Sequence, residues 1–93
     1  MLVSVNLYSE KKGEVNRFLS HFYNTHFEIE NNLSWEKKYA NPIELAEIIG
    51  IFVDNSDDYI LSMWICLDKN VFVNVTTENA NDIIKYLYER FPY

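Results

Sequence analysis

Residues 57–76, DDYILSMWICLDKNVFVNVT, decide the fold of this chain. Two apolar runs stand on either side of a short polar turn. Within each run, the odd-numbered and the even-numbered positions form two sets of side chains with different compositions. Alternation with a period of two is typical of β-strands, and a short polar segment between two such runs predicts a hairpin. We therefore expect a β-hairpin at the core of a small domain.

The length and composition of the chain predict one soluble domain. The 93 residues are 48% hydrophobic and 24% charged, which suits one core and leaves no room for a second domain. We expect residues 1–93 to form a single α+β domain. The N-terminal stretch MLVSVNLYSEKK lacks the features of a signal peptide, no segment has membrane-spanning length, and Cys66 is a single cysteine. A cytoplasmic protein is the expectation.

Three segments have the apolar spacing i, i+3, i+4 and i+7 of an amphipathic helix. The first is residues 10–23, with Ser9 as its expected cap and Asn24 as its end. The third follows Thr76 or Thr77, either of which can cap it. Its stripe is Ala80, Ile83, Ile84, Leu87 and Phe91, before Pro92 stops the helix.

The second helix is predicted from Pro42 to about Asp54. Asn41 is a favourable cap, and proline at the first helical position loses no hydrogen bond because its missing N–H has no partner there. Gly50 leaves an alternative open, because it could end the helix and release residues 51–53 as another strand.

The other alternating runs predict further strands. Residues 2–8 form the first strand. Residues 26–30 and 33–39 alternate over shorter lengths, and the Asn31-Asn32 pair between them suits a tight turn. The polar side chains in these two runs predict a hairpin at the edge of the sheet.

The predicted element order is β-α-β-β-α-β-β-α. Each helix has one apolar stripe, and the strands are mainly antiparallel, so the helices are expected on one face of the sheet. The fold class is therefore α+β, a two-layer sandwich. The first six elements follow the order of a ferredoxin-like plait, which is an analogy of topology and implies no function.

The net charge of −6 is concentrated in the middle of the chain. Residues 28–58 contain eight acidic and two basic side chains, whereas the remaining residues balance at six of each sign. Phosphate groups would repel this charge, so nucleic acids and anionic membranes are not expected partners. A solvated face is the simpler interpretation. The other is a docking face for a basic protein, with Glu44, Glu47 and Asp54 as its candidate residues.

No arrangement of catalytic or metal-binding residues stands out. His21 and His26 lack zinc spacing, and residues 54–58 lack the glycine and the distal glutamate of a calcium loop. Every acidic residue falls on a predicted turn or exposed face, so no carboxyl group is expected in an apolar pocket. Cys66 lies in an apolar strand and is expected to fill the core. We predict no catalytic residue, no metal and no cofactor.

If the helices cover one face of the sheet, the opposite face becomes the main functional question. The covered face comprises Val3, Val5, Leu7, Leu61, Met63, Ile65, Val71, Val73 and Val75. The opposite face mixes large apolar and small polar side chains, as contact surfaces do. It comprises Leu2, Ser4, Asn6, Tyr8, Ile60, Ser62, Trp64, Phe72, Asn74 and Thr76. It contains no cationic side chain, so base stacking is not expected.

The candidate interface residues are Tyr8, Ile60, Trp64, Phe72 and Asn74 on this face, with Tyr86 and Tyr88 beside the stripe of the third helix. The first hypothesis is a small non-enzymatic interaction module that forms a homodimer through the sheet face. The second is an acidic inhibitor or immunity-type protein that binds a basic protein. The third is an enzyme or small-ligand binder whose site forms only in three dimensions, between sheet and helices.

Overall fold

The computed structural model describes residues 2–68 and 71–90, without the side chain of Asp68. Four strands and three helices follow one another in the order β-α-β-α-β-β-α, with one short 3-10 turn at Ser56–Asp58. The elements are β1 (Val3–Tyr8), α1 (Glu14–Tyr23), β2 (Ser34–Tyr39), α2 (Pro42–Asp54), β3 (Ser62–Asp68), β4 (Val71–Asn74) and α3 (Ala80–Arg90).

The four strands form one antiparallel sheet in the order β2-β1-β3-β4. The first strand, β1, is central and pairs with β2 on one side and β3 on the other, so that Val5 faces Lys37 and Ile65. The edge strands are β2 and β4. The prediction that the 33–39 run lies at an edge is therefore confirmed.

One hydrophobic cluster joins the helices to one face of the sheet. Alternate residues of the two middle strands are fully or almost fully buried, and they meet the predicted stripes of all three helices. The buried strand residues are Val3, Val5, Leu7, Tyr39, Met63 and Ile65, and the buried helix residues include Val15, Phe18, Leu19, Leu45, Ile48, Ile49, Ile83 and Leu87. The two-layer α+β sandwich is confirmed, with its helices on one face.

The hairpin predicted from residues 57–76 is confirmed as β3 and β4. Its register contains a bulge, because Cys66 pairs with Phe72 while Asp68 pairs with Val71. Val71 was expected on the covered face but is 55% exposed, because it is the first residue of the short edge strand β4 and the core cluster does not extend to it.

The start of α1 differs from the prediction. The residue before the first helical turn is Gly13, which adopts the left-handed conformation (φ 89°) that a residue with a side chain rarely takes. Ser9 does not cap the helix, because its hydroxyl donates to the carbonyl oxygen of Ile60 and accepts from the N–H of Lys11. The predicted end is confirmed, since Asn24 takes the left-handed conformation that closes the helix (φ 53°).

The other helix starts agree with the sequence. Asn41 Oδ1 accepts from the N–H of Ile43 at 2.8 Å, and α2 continues to Asp54 past Gly50, so no strand forms at residues 51–53. Before α3, Thr76 Oγ1 accepts from the N–H of Asn79 at 3.1 Å, and Asn79 Oδ1 accepts from the N–H of Thr76 at 2.8 Å. This reciprocal pair is a capping box built with asparagine. Phe91, Pro92 and Tyr93 lie outside the described residues.

Residues 26–30, predicted as a strand, do not form one. The hydroxyl of Ser20 on α1 accepts from the N–H of Phe27 at 2.9 Å and donates to its carbonyl at 3.2 Å. Asn16, also on α1, accepts from the N–H of Ile29 at 3.1 Å. These bonds satisfy backbone groups that a hairpin partner would need, so the segment follows the helix instead. The predicted edge hairpin is wrong, and with it the eight-element order and the plait analogy.

We predict that Ser20→Ala destabilises the protein by about 1–2 kcal/mol, because the partly buried backbone groups of Phe27 lose their partner. Amide hydrogen exchange at Phe27 and the urea midpoint measure the effect, and exchange is expected to accelerate there while β1 stays protected. Ser34→Ala is the matched control, since its exposed hydroxyl is hydrogen-bonded only to the side chain of Asn31 among the described residues. Equal effects of the two substitutions would show that the Ser20 hydroxyl does not hold the backbone of Phe27.

Candidate functional site

The sheet face opposite the helices carries outward side chains in three cross-strand rows, and none of the described residues covers it. From β2 to β4, the rows are Ser34, Tyr8 and Ser62; then Glu36, Asn6, Trp64 and Asn74; then Lys38, Ser4, Cys66 and Phe72. We call this surface, with Ile60 just before β3, the open face. Most of its residues were predicted from the alternation of β1, β3 and β4.

The large apolar side chains of the open face are strongly exposed. The exposed fraction is 61% for Ile60, 52% for Phe72, 46% for Tyr8 and 39% for Trp64. Isolated exposed apolar residues are ordinary, but several on one flat surface form a patch of the kind that protein partners cover. Asn74, the fifth candidate, is only partly exposed and donates to the carbonyl of Met63 at 3.4 Å.

The strand β2 and the cysteine change the predicted composition of this face. The sequence pattern alone did not place Glu36 and Lys38 there, because the pairing of β2 with β1 is a long-range choice. The face therefore does carry one cation, beside one anion of the same strand. Cys66 was expected in the core, but its register with Ser4 and Phe72 places it on the open face, half-buried.

A shallow depression of about 340 Å³ lies at the end of the open face. Tyr8, Ile60 and Ser62 contribute to its wall. Ser9 also lines it, but that hydroxyl is engaged with the backbone at Ile60 and Lys11. The depression therefore offers mainly side-chain surface to a partner rather than an activated nucleophile.

A buried carboxylate holds the segment that carries Ile60. Glu14, at the first turn of α1, is 7% exposed, whereas the sequence predicted every acid on a turn or exposed face. Its Oε2 accepts from Arg17 Nη2 at 3.0 Å and from the N–H of Ile60 at 3.4 Å. Burial acts to raise the pKa of Glu14, but the hydrogen bond and charge of Arg17 and the Ile60 N–H outweigh it, so the pKa lies below 4.5.

Other side chains of α1 near this carboxylate make further contacts with the loop before β3. Arg17 also donates to the carbonyl oxygen of Asp58, and its guanidinium lies 4.3 Å from the ring centroid of Tyr59. The Tyr59 hydroxyl and His21 Nδ1 share a hydrogen bond of 2.9 Å. No sequence motif predicts this cluster, because the contacts that join α1 to the loop link residues 38 to 46 positions apart in the chain. It fixes the loop and thereby the position of Ile60.

The remaining candidates lie elsewhere on the molecule. Tyr86 and Tyr88 are exposed on α3, in the helix layer, so the structure does not bring them to the open face. Glu44, Glu47 and Asp54 are exposed on α2, at spacings that place them along one side of that helix. The acidic residues thus form a ridge that is separate from the open face.

The described ranges contain no group of three or more histidine, cysteine, aspartate or glutamate side chains that could hold a metal ion. Nor do they contain a helix long and apolar enough to cross a bilayer. No family model, curated protein or solved structure matches this chain. The geometry of the open face, its depression and the acidic ridge is therefore the basis for any function.

We predict that Glu14→Gln destabilises the protein at pH 7 and flattens the acid side of its stability profile. The folded-state pKa of Glu14 is lowered, so its ionised form stabilises the fold above about pH 4.5, and this stabilisation is lost as the pH falls through the folded-state pKa. Urea midpoints of both proteins between pH 7 and pH 3 measure this. The two are expected to converge at the acid end.

The matched control for this pH series is Glu78→Gln, which changes an exposed acid in the turn before α3. A Glu14→Gln protein with the parent's midpoint at pH 7 would show that the buried carboxylate does not hold the loop.

Proposed function

We propose that this protein is a small non-enzymatic interaction module whose open face pairs with a second copy of the same chain in a twofold dimer. The observation that supports this most is the exposure of Tyr8, Ile60, Trp64 and Phe72 on one sheet face. A second sheet laid on that face would remove these side chains from water, in the way that two sheets form a sandwich.

The size of the open face bears on the strength of the pairing. Four strands about 4.8 Å apart, with three outward rows each, give a footprint of roughly 20 by 20 Å. This is about 400 Å² per copy, which is below the size of standard specific interfaces and within the range of weak, transient ones. We therefore expect a reversible dimer with a dissociation constant in the micromolar range rather than an obligate one.

The charges on the open face favour one direction of the twofold axis. An axis that lies in the plane of the interface and runs perpendicular to the strands would place the middle row against its own copy, with Glu36 facing the second Glu36. An axis parallel to the strands, between β1 and β3, instead reverses each row. Lys38 then meets the ring of Phe72, and Glu36 meets the amide of Asn74, which are favourable contacts. We therefore place the axis along the strands.

The same charges argue against nucleic acid as the partner. A base-stacking sheet needs several cations to hold the phosphates, whereas Lys38 lies in the strand that also carries Glu36, and the chain has a net charge of −6. A second copy of the chain requires no such excess of positive charge.

The dimer proposal predicts that the mean mass rises from monomer to dimer across protein concentrations of about 1 µM to 1 mM. Trp64→Ala is expected to weaken association by about 30-fold, because a central tryptophan commonly contributes 2 kcal/mol or more to an interface. Multi-angle light scattering or sedimentation equilibrium measures both effects. Trp64 is exposed in the monomer, so the variant is expected to fold.

Two further variants make this experiment specific. Tyr88→Ala removes an aromatic side chain of similar exposure, 43%, from the helix layer and is expected to leave association unchanged. Glu36→Gln removes a like-charge contact only if the axis is perpendicular to the strands, so tighter association of that variant would reject the parallel axis. A monomer at every concentration would reject the dimer itself.

The acidic ridge supports a second candidate function, an inhibitor or immunity-type protein that binds a basic protein. Glu44, Glu47 and Asp54 are exposed along one helix, and none of them makes an ion pair among the described residues. Such a row of carboxylates can steer a cationic partner by charge. It lies on a different side of the molecule from the open face, so the two functions are separable.

The inhibitor hypothesis predicts binding to a small cationic protein, for example lysozyme as a generic probe, that weakens steeply between about 50 and 500 mM salt. The double change Glu44→Lys and Glu47→Lys is expected to abolish this binding and to leave the light-scattering mass unchanged. Binding that persists after the charge reversal would place the contact elsewhere. Trp64→Ala is the reciprocal control and is expected to leave the salt-dependent binding intact.

A further inference from the structure

A cleft of about 300 Å³ opens on the helix side of the molecule, where the edge strand β2 passes between the end of α1 and the side of α2. Phe22 and Ile51 contribute apolar wall, and Lys37, Glu44 and Glu47 contribute charged groups. This volume is at the lower end of the range for small-molecule sites, so a ligand of about one amino acid in size fits and a nucleotide does not.

A buried hydroxyl in the cleft wall lacks a well-formed hydrogen bond. Tyr39 is 3% exposed, and its hydroxyl oxygen makes no hydrogen bond of good geometry within the described residues, although the Tyr23 hydroxyl lies close enough to interact with it. Burial raises the pKa of Tyr39, the charge and hydroxyl of Tyr23 and the charge of Glu44 raise it further, and the group therefore remains a protonated donor. Tyr23 and Glu44 line the same cleft, which places the hydroxyl at its wall. A buried donor without a partner is costly, and an acceptor supplied by a ligand removes that cost.

The cation of the cleft lies next to this hydroxyl. Lys37 faces the helix side of the sheet, and its ammonium lies 4.9 Å from the ring centroid of Tyr39 and 5.8 Å from that of Tyr23. It makes no ion pair within the described part of the chain. An inward charge on an edge strand protects the sheet from aggregation, which explains the lysine alone. It does not explain why the buried hydroxyl beside it lacks a well-formed hydrogen bond.

The charges of the cleft favour a molecule that carries both signs over a simple ion. The two carboxylates lie one helical turn apart on α2 and would repel an anion, whereas Lys37 would repel a cation. A molecule with both charges avoids both penalties. Its carboxylate can accept from Lys37 and Tyr39, its ammonium can donate to Glu44 and Glu47, and an apolar side chain can pack on Phe22 and Ile51.

We propose that the cleft between α1, β2 and α2 binds a small zwitterion, an α-amino acid with a large apolar side chain. Lys37 and Tyr39 bind its carboxylate, and Glu44 and Glu47 bind its ammonium group. This site is independent of the dimer, because Lys37 and Tyr39 lie on the opposite side of β2 from Lys38 and Glu36.

The test is a titration of the ¹⁵N-labelled protein with L-phenylalanine to 20 mM, followed by NMR. A ligand of this size is expected to bind with a dissociation constant on the order of 1 mM and to shift signals of β2 and α2 around the cleft. The matched probes are 3-phenylpropionate, which lacks the ammonium, and phenethylamine, which lacks the carboxylate. Both are expected to bind at least 10-fold more weakly. No shift with L-phenylalanine, or equal shifts with all three, would overturn the proposal.

Tyr39→Phe separates a binding role from a merely structural one. It removes only the hydroxyl, so the melting temperature of the unliganded protein is expected to rise by about 5 °C while L-phenylalanine binds about 10-fold more weakly. Lys37→Met is expected to weaken binding similarly. A Tyr39→Phe protein that is more stable but binds equally well would reject the hydroxyl as a ligand contact. Lys38→Met, on the other side of β2, is the matched control and is expected to leave the titration unchanged.

Discussion

The packing of three helices against one face of a four-stranded sheet is the constraint on which the other features of this structure depend. Each helix has a single apolar stripe, so each helix can pack on only one surface. The central strand β1 contributes much of the surface on which the helices pack. Val3, Val5 and Leu7 lie on that surface and are at most 1% exposed. With the helices on one side, no described residue forms a covering layer on the other side of the same strands.

The edge strand β2 contributes side chains both to the open face and to the cleft between α1, β2 and α2. Successive residues of a strand point to opposite faces, so Lys38 lies on the open face while Lys37 and Tyr39 face the helices. The helix layer leaves a cleft along this edge rather than burying it completely. One strand thus brings both charged side chains to an otherwise uncharged open face, and it brings the cation to a cleft whose other charged groups are carboxylates.

Hydrogen bonds between polar side chains and distant backbone groups account for several departures from the sequence-based prediction. The alternation of residues 26–30 correctly places Phe27 and Ile29 toward the core, but Ser20 and Asn16 bind their backbone, so no strand forms. Ser9 looks like a helix cap in sequence yet bonds to the Ile60 carbonyl. Such polar side chains have several partners available, and only the folded chain decides which one is within reach.

Sequence by itself determined the elements whose signals are local. The hairpin of β3 and β4, the Asn41-Pro42 start of α2, the Thr76 cap and the alternation that separates Trp64 from Ile65 all depend on neighbouring residues. Tertiary structure alone decided the strand order, the burial of Glu14 and the cleft around Tyr39. Periodicity shows which side of an element is apolar, but it does not show which distant polar group will meet it, because that depends on how the elements pack.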